Sequence, residues 1–156
     1  MKINTSKYFC LVCISVSVLL FSYEDIISIG LSICIIDWFL IWGNGISILY
    51  NFLTSASSLA QWFCDTCDIN GDVYTFGWVG YEENAVLEET EDDKYVKYSW
   101  EDADDPDEYF EFKIYKSEIS NDTVLTITDF ADKEDVDDQK LLWESQIDTL
   151  SKRIGA

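Results

Sequence analysis

Hydrophobic residues follow three different regimes along this chain. Residues 8–22 (YFCLVCISVSVLLFS) carry no charge, and residues 26–42 (IISIGLSICIIDWFLIW) carry one, Asp37. Residues 73–130 alternate apolar and polar positions with a period of two, broken by turn-type clusters, as half-buried strands do. Residues 132–154 switch to the 3.6-residue period of an amphipathic helix.

The first regime is membrane-like but short. A spanning helix needs about 20 apolar residues, about 17 at the lower limit. Asp37, near the middle of the second run, would cost about 2.5–3.5 kcal/mol to insert. Three readings of residues 1–44 stay open. Lys2 and Lys7 ahead of an apolar run fit a signal peptide, although no alanine precedes Ala56 to form an A-x-A cleavage pattern. One signal-anchor helix or a tight helical hairpin would make a membrane anchor. A shifted reading frame in an AT-rich gene would also produce this excess of Ile, Phe, Leu, Ser, Tyr and Cys, which makes a non-native or misread segment the third.

After Gly43-Asn44-Gly45 a different kind of sequence begins. Residues 46–53 and 58–63 read as two short helices, with Thr54, Ser55, Ser57 and Ser58 as cap-type residues between them. Asn70-Gly71 signals a hairpin. Strands are expected over residues 73–78, 85–90, 95–100, 109–119 and 123–130. Alternation puts Tyr74, Phe76 and Trp78 on one face. It does the same for Val96, Tyr98 and Trp100, for Phe110, Phe112 and Ile114, and for Leu125, Ile127 and Asp129. A helix over residues 132–154 aligns Val136, Trp143, Ile147, Leu150 and Ile154. Glu134, Asp135, Asp137 and Asp138 crowd its start, Lys152 and Arg153 its end, and Gly155 stops it, the polarity a helix dipole favours. The order predicts an α+β fold: two short helices, a curved antiparallel sheet of about five or six strands, and a long C-terminal helix packed across the apolar face of the sheet.

Charge narrows the function. The 156 residues hold 30 acidic and 10 basic side chains and no histidine. Residues 51–156 hold 27 acidic and 8 basic ones, a net of −19. Such a surface repels phosphate backbones and excludes nucleic acid as a partner. Without histidine, Ser-His-Asp and Cys-His catalysis and mixed zinc sites are excluded. Aromatics at 15% and apolar residues at 48% exclude an intrinsically disordered chain.

Cys64-Asp65-Thr66-Cys67 is a C-x-x-C, but no second pair completes a zinc site, and Asp65 and Asp68 would raise the thiol pKa. Packing cysteines are the plainer reading, and five cysteines without a regular framework fit a reducing compartment. The acid runs over residues 101–108 and 132–138 lack the glycine and terminal glutamate of a calcium loop, so no metal is expected. Asp129 is read either as a carboxylate meeting a ligand's polar group or as a strand-end residue bonding nearby backbone amides.

Several blocks carry a family resemblance: ILYNFL at 48–53, LAQWFCD at 59–65, GDVYTFGW at 71–78, YFEF at 109–112, TITDFA at 126–131 and LWESQI at 142–147. In this order they resemble a bacterial family of START-like domains. These belong to the SRPBCC, or helix-grip, superfamily, with lipid-transfer START domains, the birch-pollen-allergen proteins and the activators of the large heat-shock ATPase chaperone. The resemblance spans about residues 46–155 and implies the helix-grip fold and a cavity, with no transferable catalytic residue; no cofactor is expected. The family opens with a strand before the two short helices. Here the hydrophobic run holds that place, and residues 34–42 have a composition that would suit a strand.

Together these readings predict a leader, 1–44, followed by a START-like domain, 45–156. The domain is expected to be cytoplasmic, or membrane-tethered through residues 8–42 if the leader is an anchor. The leading expectation is a non-enzymatic domain holding a small apolar or lipid-like ligand in a hydrophobic cavity between sheet and final helix. Tyr74, Phe76, Trp78, Tyr98, Trp100, Phe110, Phe112, Asp129, Trp143, Ile147 and Leu150 would line it. The opposing reading is that these rings fill the space. The alternative function is an acidic protein-interaction module of the chaperone-activator type; an enzyme such as a cyclase or hydrolase has no nucleophile–base pair to support it.

Overall fold

The final helix sets the arrangement of the rest. In a computed structural model that describes residues 33–41, 45–103, 105, 107–118 and 122–155, with backbone alone for 33–41, this helix spans Val136–Ile154. It buries Trp143, Ile147, Leu150 and Ile154, the stripe expected from the sequence, while Val136 at its first turn stays half-exposed. Asp137 and Asp138 lie in the first turn and Lys152 and Arg153 in the last. Gly155 caps it in the left-handed conformation (φ 76°, ψ 34°), which costs a residue without Cβ little. The helix begins four residues later than expected, because residues 133–135 form a turn first.

In chain order the elements are β1 (Ile33–Ile41), α1 (Ile46–Thr54), α2 (Ala56–Leu59), β2 (Thr66–Asn70), β3 (Val73–Trp78), β4 (Tyr81–Glu91), β5 (Tyr95–Trp100), β6 (Phe110–Lys116), β7 (Thr123–Ala131) and α3, the final helix. Among the described residues all seven strands join one antiparallel sheet in the order β1-β7-β6-β5-β4-β3-β2. The fold is therefore α+β and of the helix-grip type, with more strands than the sequence indicated. One extra strand is β1, from the segment read as leader, which pairs with β7 from Ile33↔Ala131 to Ile41↔Thr123. The other is β2, a polar edge strand that includes Cys67. The second short helix is Ala56–Leu59; residues 60–63, expected to extend it, form a turn. Residues 1–32 and 42–44 lie outside the described residues, and with them most of the segment to which the anchor, signal-peptide and misread readings apply.

The local sequence explains the meander. Gly71 (φ 65°) opens the β2–β3 turn, where a two-residue hairpin requires a positive φ. The β4–β5 register shifts between Leu87 and Glu89, a bulge that bends the ribbon. Leu49 and Leu53 of α1 and Leu59 of α2 are fully buried in the same core as the inward strand residues, so the short helices close the mouth of the curved sheet.

Candidate functional site

Most of the side chains expected to line a cavity are packed against one another. Tyr74, Phe76, Tyr98, Phe110, Phe112, Trp143, Ile147 and Leu150 are buried in one cluster, and Trp78 and Trp100 are half-buried at its margin. Tyr98 stacks on Phe110 at 4.9 Å and Phe110 lies 4.6 Å from Trp100. Phe63, in the turn after α2, is the hub that sequence reasoning missed as a site residue. It meets Phe76 edge-on at 4.9 Å and stacks on Trp143 at 5.9 Å. Phe76, Tyr98, Phe112, Leu125 and Leu150 are 0% exposed, so no water-sized void touches them. Ring pairs of this kind add about 0.5–1.5 kcal/mol each beyond burial.

The polar tips of these rings have partners the sequence did not disclose. Tyr98 Oη donates to the Leu53 carbonyl and Tyr74 Oη to the Thr54 carbonyl, both at 3.0 Å. Trp62 Nε1 donates to the Phe52 carbonyl at 2.8 Å, and Trp78 Nε1 to the Phe63 carbonyl at 3.0 Å. The last carbonyls of a helix have no partner within it, and here tyrosines of the sheet and a nearby tryptophan satisfy them. Burial pushes the Tyr98 and Tyr74 hydroxyls up from the usual phenol range, which keeps both as donors at any ordinary pH.

Asp129 is 6% exposed on β7. Its Oδ2 accepts the Trp143 indole N–H at 2.8 Å and the Gln139 amide at 2.6 Å, so the carboxylate fastens α3 to the sheet. Burial raises its pKa, partly opposed by these two bonds and by the Phe130 backbone N–H. Native Asp129 therefore binds its proton more tightly than the unfolded residue does. This group's contribution to stability rises as pH falls from neutrality through the raised native pKa, and levels off below the unfolded value of about 3.9. Urea titrations at a series of pH values should show this limb in wild type and lose it in Asp129→Asn, whose amide oxygen still accepts both α3 donors. Two curves that stay parallel across that range would refute the assignment.

Cys64 is buried and Cys67 half-buried on β2, and both are free thiols. Burial, with Cys67 and Asp65 beside it, pushes the Cys64 thiol up to about 12 against a smaller lowering by the Gly77 backbone. Burial also raises Cys67. Thiols so held stay protonated at neutral pH, which suits packing rather than redox exchange.

An open cleft of about 520 Å³ lies elsewhere, lined by Tyr81, Glu82, Glu83, Trp100, Asp102 and Glu108 among others. It exists because β4 outruns β5. The two strands pair from Ala85↔Trp100, whereas β4 pairs with β3 from Tyr81↔Trp78. The Asn84 carbonyl still takes the Glu101 N–H at 2.9 Å. Tyr81, Glu82 and Glu83 thus have a strand neighbour on one side only among the described residues. Trp100 is the one expected site residue that reaches this cleft. Tyr81, Glu82 and Glu83 were missed because the sequence reading started β4 at Ala85, whereas Asp102 and Glu108 belong to the acid run over residues 101–108. Among the described residues no group of three His, Cys, Asp or Glu side chains is placed to hold a metal ion.

Comparison with known proteins places this geometry. The family described as START-like superfamily domain matches residues 39–156. A protein of Bacteroides fragilis solved by NMR is 28% identical over 78% of this chain and 90% of its own, with a TM-score of 0.57. The Aha1 dimer of Colwellia psychrerythraea is 16% identical over 78% of this chain and 96% of its own, with a TM-score of 0.65. XoxI of Bacillus cereus is 16% identical over 78% and 94%, with a TM-score of 0.64. The last two show likeness of fold alone. No curated protein matches the chain. Among the described residues no helix is long and apolar enough to cross a membrane.

Proposed function

The chain belongs to the START-like superfamily of domains, and we propose that within it this member is a non-enzymatic protein-interaction domain that docks a basic partner, in the manner of the chaperone-activator branch. The charge balance carries the reading. Residues 51–156 hold 27 acidic and 8 basic side chains, so one partner for each base leaves 19 acids without one. Ion pairs among the described residues include Lys94–Glu91, Lys113–Glu111 and Lys152–Asp148, and these three are local in sequence. A field of one sign speeds encounter with a basic surface and weakens with salt. In a pull-down with immobilised protein, a partner retained at about 50 mM salt should be released at about 500 mM, where the Debye length falls to a few ångströms. Partners that stay bound at both salt levels would argue against electrostatic docking.

One observation favours a second reading, an apolar or lipid-like ligand between sheet and α3. Gln146 Oε1 is buried without a donor, while its Nε2 bonds the Phe63 carbonyl at 3.2 Å. A ligand hydroxyl would satisfy that oxygen, with Tyr98 and Asp129 as further polar groups near the apolar lining of Trp143, Ile147 and Leu150. Burial at about 25 cal/mol per Å² would drive such binding, but the rings must first part. Native mass spectrometry separates the readings: a lipid-sized adduct on the purified protein supports the ligand, and its absence leaves interaction as the role.

A further inference from the structure

The cleft beside the overhang of β4 has the chemistry to take an extended, arginine-containing segment of a partner protein, and we propose that it is where docking occurs. This rests on the interaction reading and adds to it a site and a ligand chemistry.

Three properties converge there. The first is an aromatic wall held in place. Trp100 packs on Phe110 at 4.6 Å and Phe76 at 5.9 Å, and Tyr81 stacks on Trp78 at 5.2 Å with 20° between the rings. By strand alternation Trp100 shares the face of Tyr98, and Tyr81 shares the face of Glu83 and the buried Ala85. Tyr81 is nevertheless 55% exposed, and Val79 at the tip of the same hairpin is 93% exposed. Apolar and aromatic surface is thus offered to solvent at one end of the sheet.

The second property is a stretch of strand edge with no strand neighbour among the described residues. Backbone groups of a strand alternate sides. The Leu87 N–H turns to the β3 side, where it donates to the Asp72 carbonyl of the β2–β3 turn at 2.7 Å, and the Asn84 carbonyl turns to the β5 side. Glu82, two residues before Asn84, therefore turns its N–H and C=O toward the cleft, where β5 no longer reaches. An extended peptide can pair at such an edge, taking affinity from the main chain and specificity from its side chains.

The third property is charge. Glu82, Glu83, Asp102 and Glu108 line the cleft, and among the described residues no basic side chain lines it. They are not arranged as a metal cage. Separated carboxylates beside an indole and a phenol suit a planar guanidinium, which stacks on an aromatic face and bonds carboxylates in a bidentate fork; a lysine ammonium does neither as well.

The test measures fluorescence anisotropy with a fluorescein-labelled peptide of alternating arginine and valine, and with its lysine counterpart, at about 50 mM salt. Wild type should bind the arginine peptide several-fold more tightly than the lysine peptide. Exchanging Glu83→Gln, Asp102→Asn and Glu108→Gln together should weaken binding at least about 10-fold, and Tyr81→Ala should weaken it as well. A control triple variant in the turn before and the first turn of α3, Glu134→Gln, Asp137→Asn and Asp138→Asn, removes the same charge and should cost less than about 3-fold. Equal losses in the two triple variants, equal affinity for the two peptides, or no binding by wild type would each overturn the cleft as the docking site. Equal losses would leave the salt-sensitive interaction reading standing, whereas that reading fails if no salt-released partner is recovered.

Discussion

Trp143→Ala is expected to destabilise the domain by about 3–5 kcal/mol, enough to unfold a domain of ordinary stability. The indole is 3% exposed, stacked on Phe63 at 5.9 Å and edge-on to Phe112 at 5.7 Å. Its removal opens a void among rings that cannot collapse, because Phe112 and Leu150 are themselves fully enclosed. It also strips one of the two α3 donors from Asp129, leaving a buried carboxylate held to the helix by Gln139 alone. Trp143→Phe separates the two effects. It keeps a ring and loses the hydrogen bond, so it should cost about 1–3 kcal/mol. Urea denaturation of both variants checks the pair. A Trp143→Ala protein within about 1 kcal/mol of wild type would mean that α3 does not depend on this contact, and the packing that defines the fold would have to lie elsewhere.

The parts of this structure that were legible in the sequence share one property: their partner pattern is written in their own period. Residues 73–78 and 95–100 appear as strands with the expected bounds, and α3 buries the expected stripe. Each shows a clean two- or 3.6-residue alternation because one face meets the core and the other meets water. β1 shows no alternation. A continuous apolar run reads equally as a membrane segment or a strand, and its pairing with β7 joins residues about ninety positions apart. β2 is short, polar and at the sheet edge, so it carries little hydrophobic signal. The candidate site was legible to the same degree. Alternation put Tyr74, Phe76, Tyr98, Phe110 and Phe112 inside, but it could not show that Tyr98 would donate to Leu53, 45 residues away, rather than to a ligand. Phe63 escaped because it was assigned to a helix whose last turn does not form. The acidic cleft escaped because it depends on a difference in length between two neighbouring strands, which no single segment records.

The second large effect concerns where the domain begins. Residues 32–156 form one compact unit, and β1 occupies the edge beside β7 over nine paired residues. A protein of residues 45–156, the boundary drawn from the hydropathy pattern, would lose that strand. β7 carries Leu125, Ile127 and Asp129, which are 0%, 1% and 6% exposed, and it would become the edge of the sheet. Its outward row of N–H and C=O groups would then face solvent or another chain, the situation that drives edge-to-edge association. The expected result is that residues 32–156 melt as a cooperative unit. Residues 45–156 should melt at least about 10 °C lower, or associate, corresponding to a loss of about 3 kcal/mol for a domain of this length. Thermal denaturation and analytical ultracentrifugation of the two fragments measure both outcomes. If the shorter fragment is monomeric and equally stable, β1 contributes nothing to the fold and the boundary at residue 45 is the right one. If it is not, the hydrophobic segment includes a working strand of the sheet, and the readings that treat all of residues 1–44 as dispensable fail at residue 33.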